Sequence, residues 1–340
     1  MRIVNAMFGA QLGGLEQVFL DYCDALTLAG HEVFALIHPR AAIRPALEAR
    51  RTRFHAIGNF NAWDALAMLR LRSVLSRVRP DAVIAHGNRA VSLLRGAAAK
   101  PLIGVAPNYQ LKCDGLAAVL CSTADLARHC RESGVDEALL WVVPNAVSVP
   151  PERPERPWRD PPVIGAMGRF VAKKGFAVLI EALARLAADG LAFRAVIAGA
   201  GAEADSLRAL VRVRGLGQRV ELPGWQDDKP RFFAAIDVFA LPSHHEPFGV
   251  VLIEAMAQAL PIVTTASEGP SQIVSDGHDG VIVPTDDPAA LAAALAGLLR
   301  DPEAAAAMGA RAYDTARSNY DLPLLAERLD RAVHGVTLRG

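Results

Sequence analysis

The chain has few cysteines, no net charge and no long apolar run. Its 340 residues include four cysteines (Cys23, Cys113, Cys121 and Cys130) without a C-x-x-C pair, so no disulfide framework is predicted. Basic and acidic side chains number 36 each, so a bulk attraction to nucleic acid is not indicated. No segment reaches the ~18 apolar residues that a membrane-spanning helix needs. We therefore predict a cytoplasmic protein in a reducing compartment, with no nucleic acid as a partner.

The neutral balance hides a difference between the two halves of the chain. Residues 1–150 hold 16 basic and 12 acidic side chains, whereas the remainder holds 20 basic and 24 acidic ones. From Arg40 to Arg79 there are nine arginines but only two acids, Glu48 and Asp64. Such a run is often a set of solvated helix faces. It also suits a basic face that contacts anionic lipid at the inner surface of a membrane, because each exposed cation contributes about 1 kcal/mol there.

The order of apolar and polar residues predicts two domains, which also suits the length of the chain. Short apolar runs alternate with helical patterns, which is typical of parallel sheets with helices on both faces. Residues 149–162 contain six prolines and predict a linker between a domain of residues 1–148 and a domain of residues 163–316. Residues 317–340 form a separate C-terminal helical segment. Two doubly wound domains leave one cleft, with ligands expected at the carboxyl ends of the strands.

The segment from Ser243 to Ala257 carries two carboxylates eight residues apart, Glu246 and Glu254. The first lies in a loop after a predicted strand, and the second lies on the apolar-periodic helix that follows. Pro247 suits the first turn of that helix, because its missing N–H would have no partner there. The free amides and the dipole of the helix N-terminus favour an anion. An acid beside an anion site indicates a ligand with both phosphate and hydroxyl groups, as a nucleotide sugar has.

Two cations stand in another predicted loop, after the first strand of the second domain. Arg169 and Lys174 are five residues apart and are bracketed by Gly168 and Gly175. Both can reach one diphosphate, since arginine offers a bidentate fork and lysine a point charge. A solvated basic loop is the alternative interpretation, but the acidic segment downstream favours a functional one.

These segments resemble the large family of retaining glycosyltransferases called family 4, or glycosyl transferases group 1. Glu246 and Glu254 match its E-x7-E motif. Further matches stand in family order at residues 13–16 (GGLE), 144–147 (PNAV), 168–175 (GRFVAKKG), 224–225 (GW) and 276–284 (DGHDGVIVP). The resemblance implies the GT-B fold, an α/β architecture of two Rossmann-like domains whose doubly wound parallel sheets face a central cleft. It also implies that the C-terminal helix crosses back to the N-terminal domain.

The resemblance assigns donor-binding roles to both loops of the second domain. Arg169 and Lys174 match residues that bind the donor pyrophosphate and offset the charge of the leaving group. Glu254 matches the residue that accepts hydrogen bonds from the ribose hydroxyls, and Glu246 matches the one that faces the transferred sugar. Arg169, Lys174 and Glu246 are therefore predicted to be catalytic. The expected backbone amide donors are those of Phe248, Gly249 and Val250.

In the first domain the resemblance indicates residues on the acceptor side. Gly14, with Gly13 before it, permits a close approach of the backbone to the donor phosphate. Glu16 matches a residue near the acceptor, although an acid that complements a helix dipole is an alternative. His86 closes a predicted strand, matches a histidine near the sugar and acceptor, and is the fourth predicted catalytic residue. A structural histidine is the alternative there.

Other positions limit the resemblance or argue against a metal. Ile84 and Gln272 stand where family members often have a histidine and a glutamate. His244 and His245 precede Glu246, but no third ligand has suitable spacing and no D-x-D pair is present, so no metal is predicted.

The expected reaction transfers a sugar, with retention of its anomeric configuration, from a nucleoside diphosphate sugar to an acceptor hydroxyl. UDP is the first choice for the nucleotide and GDP the second. The expected acceptor is a glycan or a lipid-linked glycan, as in lipopolysaccharide synthesis, and no cofactor is expected. A nucleotide-sugar epimerase and a catalytically silent binding protein of the same fold are alternatives.

An NAD-dependent oxidoreductase is a third alternative. Gly199 and Gly201 fit a G-x-G-x-x-A fingerprint after a predicted strand, and Glu221 lies twenty residues further on. The fingerprint falls on the second strand–helix unit of its domain rather than the first. An oxidoreductase also leaves the acidic and basic loops without a role.

Overall fold

The computed structural model describes residues 1–9, 14–106 and 108–338. The chain divides into two compact units. Unit 1 consists of Met1–Ala146 and Asp321–Gly340, and unit 2 consists of Val147–Tyr320. Each unit is built around one parallel sheet.

Unit 1 has a seven-stranded sheet. Its strands are β1 (Arg2–Met7), β2 (Glu32–Ile37), β3 (Arg53–Ala56), β4 (Ala82–His86), β5 (Leu102–Ala106), β6 (Ala118–Cys121) and β7 (Leu140–Val142). Its helices, numbered in chain order, are α1 (Gly14–Leu28), α2 (Arg44–Ala49), α3 (Ala65–Val78), α4 (Gly87–Gly96), α5 (Ala124–Glu132) and α13 (Leu322–Thr337). The strand order is β3-β2-β1-β4-β5-β6-β7. β4 and β5 are buried at every position, which explains their almost continuous apolar sequence.

Unit 2 has a six-stranded sheet in the order β10-β9-β8-β11-β12-β13. Its strands are β8 (Val163–Met167), β9 (Arg194–Ala198), β10 (Val220–Glu221), β11 (Val238–Leu241), β12 (Ile262–Thr265) and β13 (Val281–Val283). Its helices are α6 (Phe176–Ala188), α7 (Ala204–Val213), α8 (Lys229–Ala234), α9 (Val250–Ala257), α10 (Pro270–Ile273), α11 (Pro288–Arg300) and α12 (Pro302–Asn319). Apolar clusters on the two faces of the sheet form its core.

The direction of the strand order reverses once in each sheet. In unit 1 the chain moves outward from β1 to β3 and then returns to place β4 on the other side of β1. In unit 2 the same reversal places β11 beside β8. Doubly wound sheets bind ligands outside the carboxyl ends of the strands at such a reversal.

The C-terminal helix α13 is part of unit 1. His31, just before β2, lies with its Nε2 3.0 Å from the Asp330 carboxylate of α13. A Cβ placed on Gly335 would lie 2.9 Å from the Trp141 ring, so a glycine is needed where this helix packs on β7. Unit 1 is therefore assembled from both ends of the chain.

The proline-rich stretch of residues 149–162, expected to be a linker, lies within unit 2 instead. Tyr313 donates its hydroxyl hydrogen to the Pro150 carbonyl at 2.6 Å. Arg156 donates to the Phe233 carbonyl at 2.7 Å. Prolines remove amide donors but keep their carbonyl acceptors, and the arginines between them supply donors, so an irregular segment can still pack against a folded unit. The chain passes between the units at residues 146–147 and 320–321.

The buried Asp237 joins the start of two central strands of unit 2. It accepts hydrogen bonds from the Val163 amide and from Arg159 Nη1, both at 2.7 Å. Its side chain is only 4% exposed. A carboxylate in such a place stabilises the fold only while its donors remain.

We expect Asp237→Ala to lower the free energy of unfolding by about 3 kcal/mol, because the substitution removes the buried acceptor of the Val163 amide and the counter-ion of Arg159. Urea unfolding followed by tryptophan fluorescence and circular dichroism measures this change. Glu221→Ala is the matched control, since Glu221 is 57% exposed in its pair with Arg194. Its cost should stay below about 0.5 kcal/mol. Equal losses in the two variants would contradict the structural role of Asp237.

Candidate active site

The two loops that carry the predicted residues of unit 2 lie side by side. They are the 168–175 loop after β8 and the 242–249 loop after β11, and β8 and β11 are neighbours in the sheet. The amide of His244 donates a hydrogen bond to the carbonyl oxygen of Lys173 at 2.9 Å. The reversal of strand order and this backbone bond together fix the position of one loop relative to the other.

Gly175 permits this close approach. Its φ is +64°, in the left-handed region that favours glycine. A Cβ at this position would lie 2.0 Å from the Pro242 carbonyl oxygen. No other residue could stand here without separating the two loops.

A lysine from the first loop pairs with a carboxylate from the second. Lys174 Nζ donates to Glu246 Oε2, and the two side chains are 14% and 11% exposed. Arg169 lies in the same loop but is exposed, and its guanidinium forms no hydrogen bond or ion pair with any described residue. The loops thus present one neutralised charge pair, and the guanidinium of Arg169 is available to an anionic ligand.

Glu246 is also held through its backbone by Glu268 and Gly269, to which the sequence interpretation gave no role. Its amide donates to Glu268 Oε2 at 3.1 Å, and its carbonyl accepts from the Gly269 amide at 2.8 Å. Glu268 Oε1 lies 3.0 Å from His245 Nδ1. Partial burial acts to raise the pKa of Glu268, but hydrogen bonds, led by that of His245, outweigh it and hold this pKa below its ordinary value. The charged form of Glu268 therefore braces the backbone of Glu246.

Helix α9 begins later than the sequence suggested. Pro247 lies in the turn before the helix, not in its first turn, because Gly249 adopts φ +98° as the N-cap and α9 starts at Val250. No described hydrogen bond uses the amides of Phe248, Gly249 or Val250. The Phe248 ring is buried against Tyr320, with ring centroids 6.0 Å apart. The expected amide donors are thus available, on a turn that is anchored by its aromatic side chain.

The second carboxylate of the motif has its own lysine. Glu254 Oε1 accepts a hydrogen bond from Lys229 Nζ at 2.5 Å. Burial raises the pKa of the Glu254 carboxyl above its ordinary value, and Lys229 acts against that rise. The other oxygen, Oε2, is buried and has no described partner. A buried acceptor without a donor is costly, so Glu254 is suited to a ligand that brings a hydroxyl group.

Lys229 is a residue that the sequence interpretation missed. It is the first residue of α8, directly after the N-cap Asp228. A cation is unfavourable at a helix N-terminus, where the dipole is positive. A lysine at such a position was therefore a signal of a carboxylate elsewhere in the fold, but the sequence could not say which one.

The glycines of the dinucleotide-like fingerprint serve backbone packing. A Cβ on Gly199 would lie 1.9 Å from the Gly168 carbonyl oxygen, and one on Gly201 would lie 2.4 Å from that of Phe170. Phe170 also donates its amide hydrogen to Ala200. The close packing of the 168–175 loop explains why glycines stand at these two positions. The fingerprint therefore does not require a bound dinucleotide.

His86, which the resemblance matches to a histidine near the sugar and acceptor, is buried in unit 1. It ends β4 and is 2% exposed, with the rings of Phe19 and Tyr22 packed edge-on at 5.4 and 4.9 Å. Its Nε2 lies 2.8 Å from Asn5 Oδ1. Burial lowers the pKa of His86 to about 3, so its imidazole is neutral. The apolar side chains of α1 cover this histidine, which the sequence of β4 alone did not reveal.

The other predicted residues of unit 1 lie at the start of α1. Gly14 is the exposed first residue of this helix, and Glu16 is a half-buried acid in its first turn. A Cβ on Gly9 would lie 2.7 Å from Glu16 Oε1, which places this carboxylate against the end of the β1 segment. Gly13 lies outside the described residues.

The part of the chain that the structure describes lacks two further features. Residues 1–9, 14–106 and 108–338 contain no group of three or more His, Cys, Asp or Glu side chains placed to hold a metal ion. No helix in those ranges is both long and apolar enough to cross a membrane.

We expect Lys229→Met to lower the free energy of unfolding by about 3 kcal/mol at pH 8, because it leaves the buried Glu254 carboxylate unpaired. The substitution should raise the pKa of Glu254 further. A raised folded-state pKa means that stability falls as the pH rises through it, so the loss should shrink at acidic pH. Unfolding measured at several pH values tests both the size and the sign.

The double variant with Lys229→Met and Glu254→Gln is the control for this experiment. It removes both charges and should recover much of the lost stability at pH 8. A pH-independent loss, or no recovery in the double variant, would contradict the proposed dependence of Glu254 on Lys229.

Comparison with known sequences identifies the family. The family described as "Glycosyl transferases group 1" matches residues 149–315. The chain is 33% identical over 325 residues to the lipopolysaccharide core biosynthesis glycosyltransferase LpsE of Rhizobium meliloti (strain 1021), covering 93% of this chain and 94% of that protein. It is 30% identical over 351 residues to LpsD, a lipopolysaccharide core biosynthesis glycosyltransferase of the same strain, covering 100% of both.

Solved structures share the fold at much lower identity. Anabaena HepE in complex with UDP-glucose superimposes with a TM-score of 0.83 at 20% identity, covering 98% of this chain and 99% of that chain. A glycosyltransferase from Rickettsia africae gives a TM-score of 0.85 at 17% identity, with 98% of both chains covered. The predicted GT-B fold, with parallel-sheet α/β domains, is confirmed. The chain belongs to the glycosyl transferases group 1 family and is a glycosyltransferase.

Proposed function

We propose that this glycosyltransferase moves a sugar from a nucleoside diphosphate sugar, with UDP as the preferred nucleotide, to a hydroxyl of a glycan or lipid-linked glycan. The observation that carries the proposal is the site of unit 2. There, two carboxylates paired with lysines stand beside unused backbone amides and the unpaired Arg169. These groups match the hydroxyls and the diphosphate of one ligand.

The nucleoside part of the donor would bind at Glu254. The buried Oε2 of this residue can accept a hydrogen bond from a ribose hydroxyl, while Lys229 keeps Oε1 satisfied. The diphosphate would lie between Arg169, Lys174 and the amides of residues 248–250. Arginine, lysine and a helix N-terminus are all suited to phosphate oxygens. We propose no metal and no cofactor for this step.

Glu246 would face the transferred sugar. Its carboxylate can accept hydrogen bonds from sugar hydroxyls and favours positive charge at the anomeric carbon. Lys174 would stabilise the departing diphosphate, as fixed cations do best in a site that excludes water. We propose retention, with the acceptor hydroxyl attacking from the face that the diphosphate leaves. The departing phosphate oxygen then takes the proton.

The names of similar proteins support this choice of substrates. HepE was crystallised with UDP and with UDP-glucose, which favours a UDP-sugar. A relative from Mycolicibacterium smegmatis is called a GDP-mannose-dependent mannosyltransferase, so GDP is the second choice. LpsE and LpsD are named for lipopolysaccharide core biosynthesis, and a similar acceptor is proposed here.

Unit 1 would provide the acceptor side. We propose that Gly14 and Glu16, at the exposed start of α1, lie near the acceptor and the donor phosphate. His86 would act as a positioning residue, because its buried ring supports α1 through Phe19 and Tyr22. It would not touch the substrate.

We also propose that the basic region from Arg40 to Arg79 contacts an anionic membrane surface, which would bring unit 1 to a lipid-linked acceptor. Several of its arginines are already paired, as Arg50 is with Asp24. Arg72 and Arg77 on α3 form no ion pair with any described carboxylate. Such exposed cations attract anionic lipid within about one Debye length, ~8 Å at physiological salt.

Calorimetric titration with UDP, GDP, uridine and NAD tests the donor site. Glu254→Ala should weaken UDP and uridine alike by about tenfold or more, since it removes a charged acceptor from the nucleoside. Arg169→Ala should weaken UDP about tenfold but leave uridine unchanged, since it removes a contact with the diphosphate only. Arg212→Ala, at an exposed position, is the control and should bind as the wild type does.

Each other outcome of the titration has a distinct meaning. Preference for GDP would keep the site and change the nucleotide. Binding of NAD that is indifferent to Glu254 would overturn the proposed donor. Turnover of a UDP-sugar to its epimer without any acceptor would replace glycosyl transfer as the proposed reaction of this site.

Steady-state kinetics test the catalytic roles. We expect Glu246→Gln and Lys174→Ala each to lower kcat about 100-fold, because each removes charge stabilisation near the reacting bond. Lys173→Ala is the matched control in the same loop, since only the backbone carbonyl of this exposed residue joins the loops. NMR of the product should show the anomeric configuration of the donor. An inverted product, or equal losses at Lys173 and Lys174, would contradict the mechanism.

A further inference from the structure

Four large apolar side chains are exposed within ten residues of unit 1. Phe60, Trp63, Leu66 and Leu69 are 94%, 69%, 65% and 64% exposed, and we refer to them as the apolar cluster. Single exposed apolar residues are ordinary on protein surfaces, but a group of this size marks an interaction site. The segment lies within the basic region, between β3 and the middle of α3.

The cluster is presented by an ordered turn. Asp64 is the N-cap of α3: its Oδ1 accepts from the Ala67 amide and its Oδ2 from the Phe60 amide, both at 3.0 Å. The Trp63 amide donates to Asn61 Oδ1 at 2.8 Å. These bonds fix the backbone that carries both aromatic rings. The turn therefore holds the rings of Phe60 and Trp63 in their exposed positions.

The helical part of the cluster lies between cationic side chains. With 3.6 residues per turn, Leu66 and Leu69 fall near the middle of the exposed face of α3. Arg70 and Arg77 flank them on one side of this face, and Arg72 on the other. All three arginines are exposed.

The aromatic part of the cluster also has a cation beside it. Lys112 Nζ lies 6.0 Å from the centroid of the Trp63 ring. The surface therefore has an apolar centre and a basic rim. The Asp64 carboxylate accepts hydrogen bonds from the amides of Phe60 and Ala67.

We propose that the apolar cluster inserts into the interfacial zone of a bilayer that contains anionic lipid. Leucine and aromatic side chains on one face of a helix, with arginines beside them, are suited to the boundary between headgroups and acyl chains. The arginines reach the phosphates while the apolar side chains enter below them. This inference rests on the proposed membrane contact of the basic region and adds a hydrophobic component to it.

The insertion predicts binding that has two parts with different salt dependence. Attraction between the arginines and anionic lipid is screened by salt, whereas burial of apolar surface is not. Vesicles of phosphatidylcholine with phosphatidylglycerol should therefore retain part of the bound protein at 0.5 M salt. Trp63 should show a blue shift of its emission and quenching by brominated lipid acyl chains. The chain has four tryptophans. Comparison with the Trp63→Phe variant therefore separates the emission of Trp63 from that of the others.

Two sets of variants separate the hydrophobic from the electrostatic contribution to vesicle binding. The pair Leu66→Ser and Leu69→Ser should reduce vesicle binding at 0.5 M salt by about tenfold or more, since two leucines no longer enter the bilayer. The pair Arg72→Gln and Arg77→Gln should reduce binding mainly at low salt. Leu28→Ser and Val213→Ser are matched controls, because both residues are exposed at 59% and 75% but lie outside the cluster. Both should bind vesicles as the wild type does.

The donor reaction is measured in parallel on all variants, as release of the nucleoside diphosphate from the nucleotide sugar in solution. Unchanged release shows that a variant is folded and that its donor site is intact, independently of lipid binding.

Binding that is lost entirely at 0.5 M salt, with no change in Trp63 emission, would indicate a purely electrostatic contact and overturn the insertion. Absence of vesicle binding with normal release would overturn the membrane contact while glycosyl transfer stands. A leucine variant that loses self-association in gel filtration rather than lipid binding would show a protein interface and also overturn the proposal.

Discussion

Two carboxylates withdrawn from water each require a cation, and this requirement organises the site of unit 2. Glu246 takes Lys174 from the loop after β8, and Glu254 takes Lys229 from the start of α8. Because an unpaired buried charge costs several kcal/mol, the loops cannot separate without a large penalty. The pairs therefore hold three segments that are far apart in sequence. They also leave Arg169 and the amides before α9 available for an anionic ligand.

Backbone contacts make these charge pairs possible. The lysine and glutamate side chains can meet only if their loops approach within hydrogen-bond distance, as the His244 amide and the Lys173 carbonyl do. Gly175 and Gly269 stand where a Cβ would lie 2.0 and 2.3 Å from a neighbouring carbonyl oxygen. Gly269 has an ordinary negative φ, so the space between two loops selects it, whereas Gly175 is selected both by that space and by its positive φ. Loss of either glycine would move the carboxylate of Glu246, although neither glycine touches that carboxylate.

The two units are built on similar sheets but differ in the side chains that they expose. Unit 2 concentrates paired charges and free amides at the reversal of its strand order, which suits a small polyanionic ligand. Unit 1 buries the titratable group at the end of β4, His86, under the aromatic residues of α1. On its surface it exposes apolar side chains among arginines in the segment that leads into α3. These two kinds of surface are suited to the proposed nucleotide-sugar donor and to the proposed lipid-linked acceptor.

The sequence by itself determined the alternation of strands and helices, the proline-rich stretch and the two motifs of charged residues, because apolar periodicity and motif spacing are local properties. The resemblance of those motifs to a known family implied the GT-B fold, and the side-by-side position of the two loops follows from the strand order of that fold. Only the tertiary structure decided which lysine serves which carboxylate, that Glu268 braces Glu246, and that His86 is covered. Each of these depends on residues far apart in the chain, and the sequence of one segment does not contain their distance. The start of α9 at Val250 instead of Pro247 has the same cause, since Gly269 packs against the turn that precedes this helix.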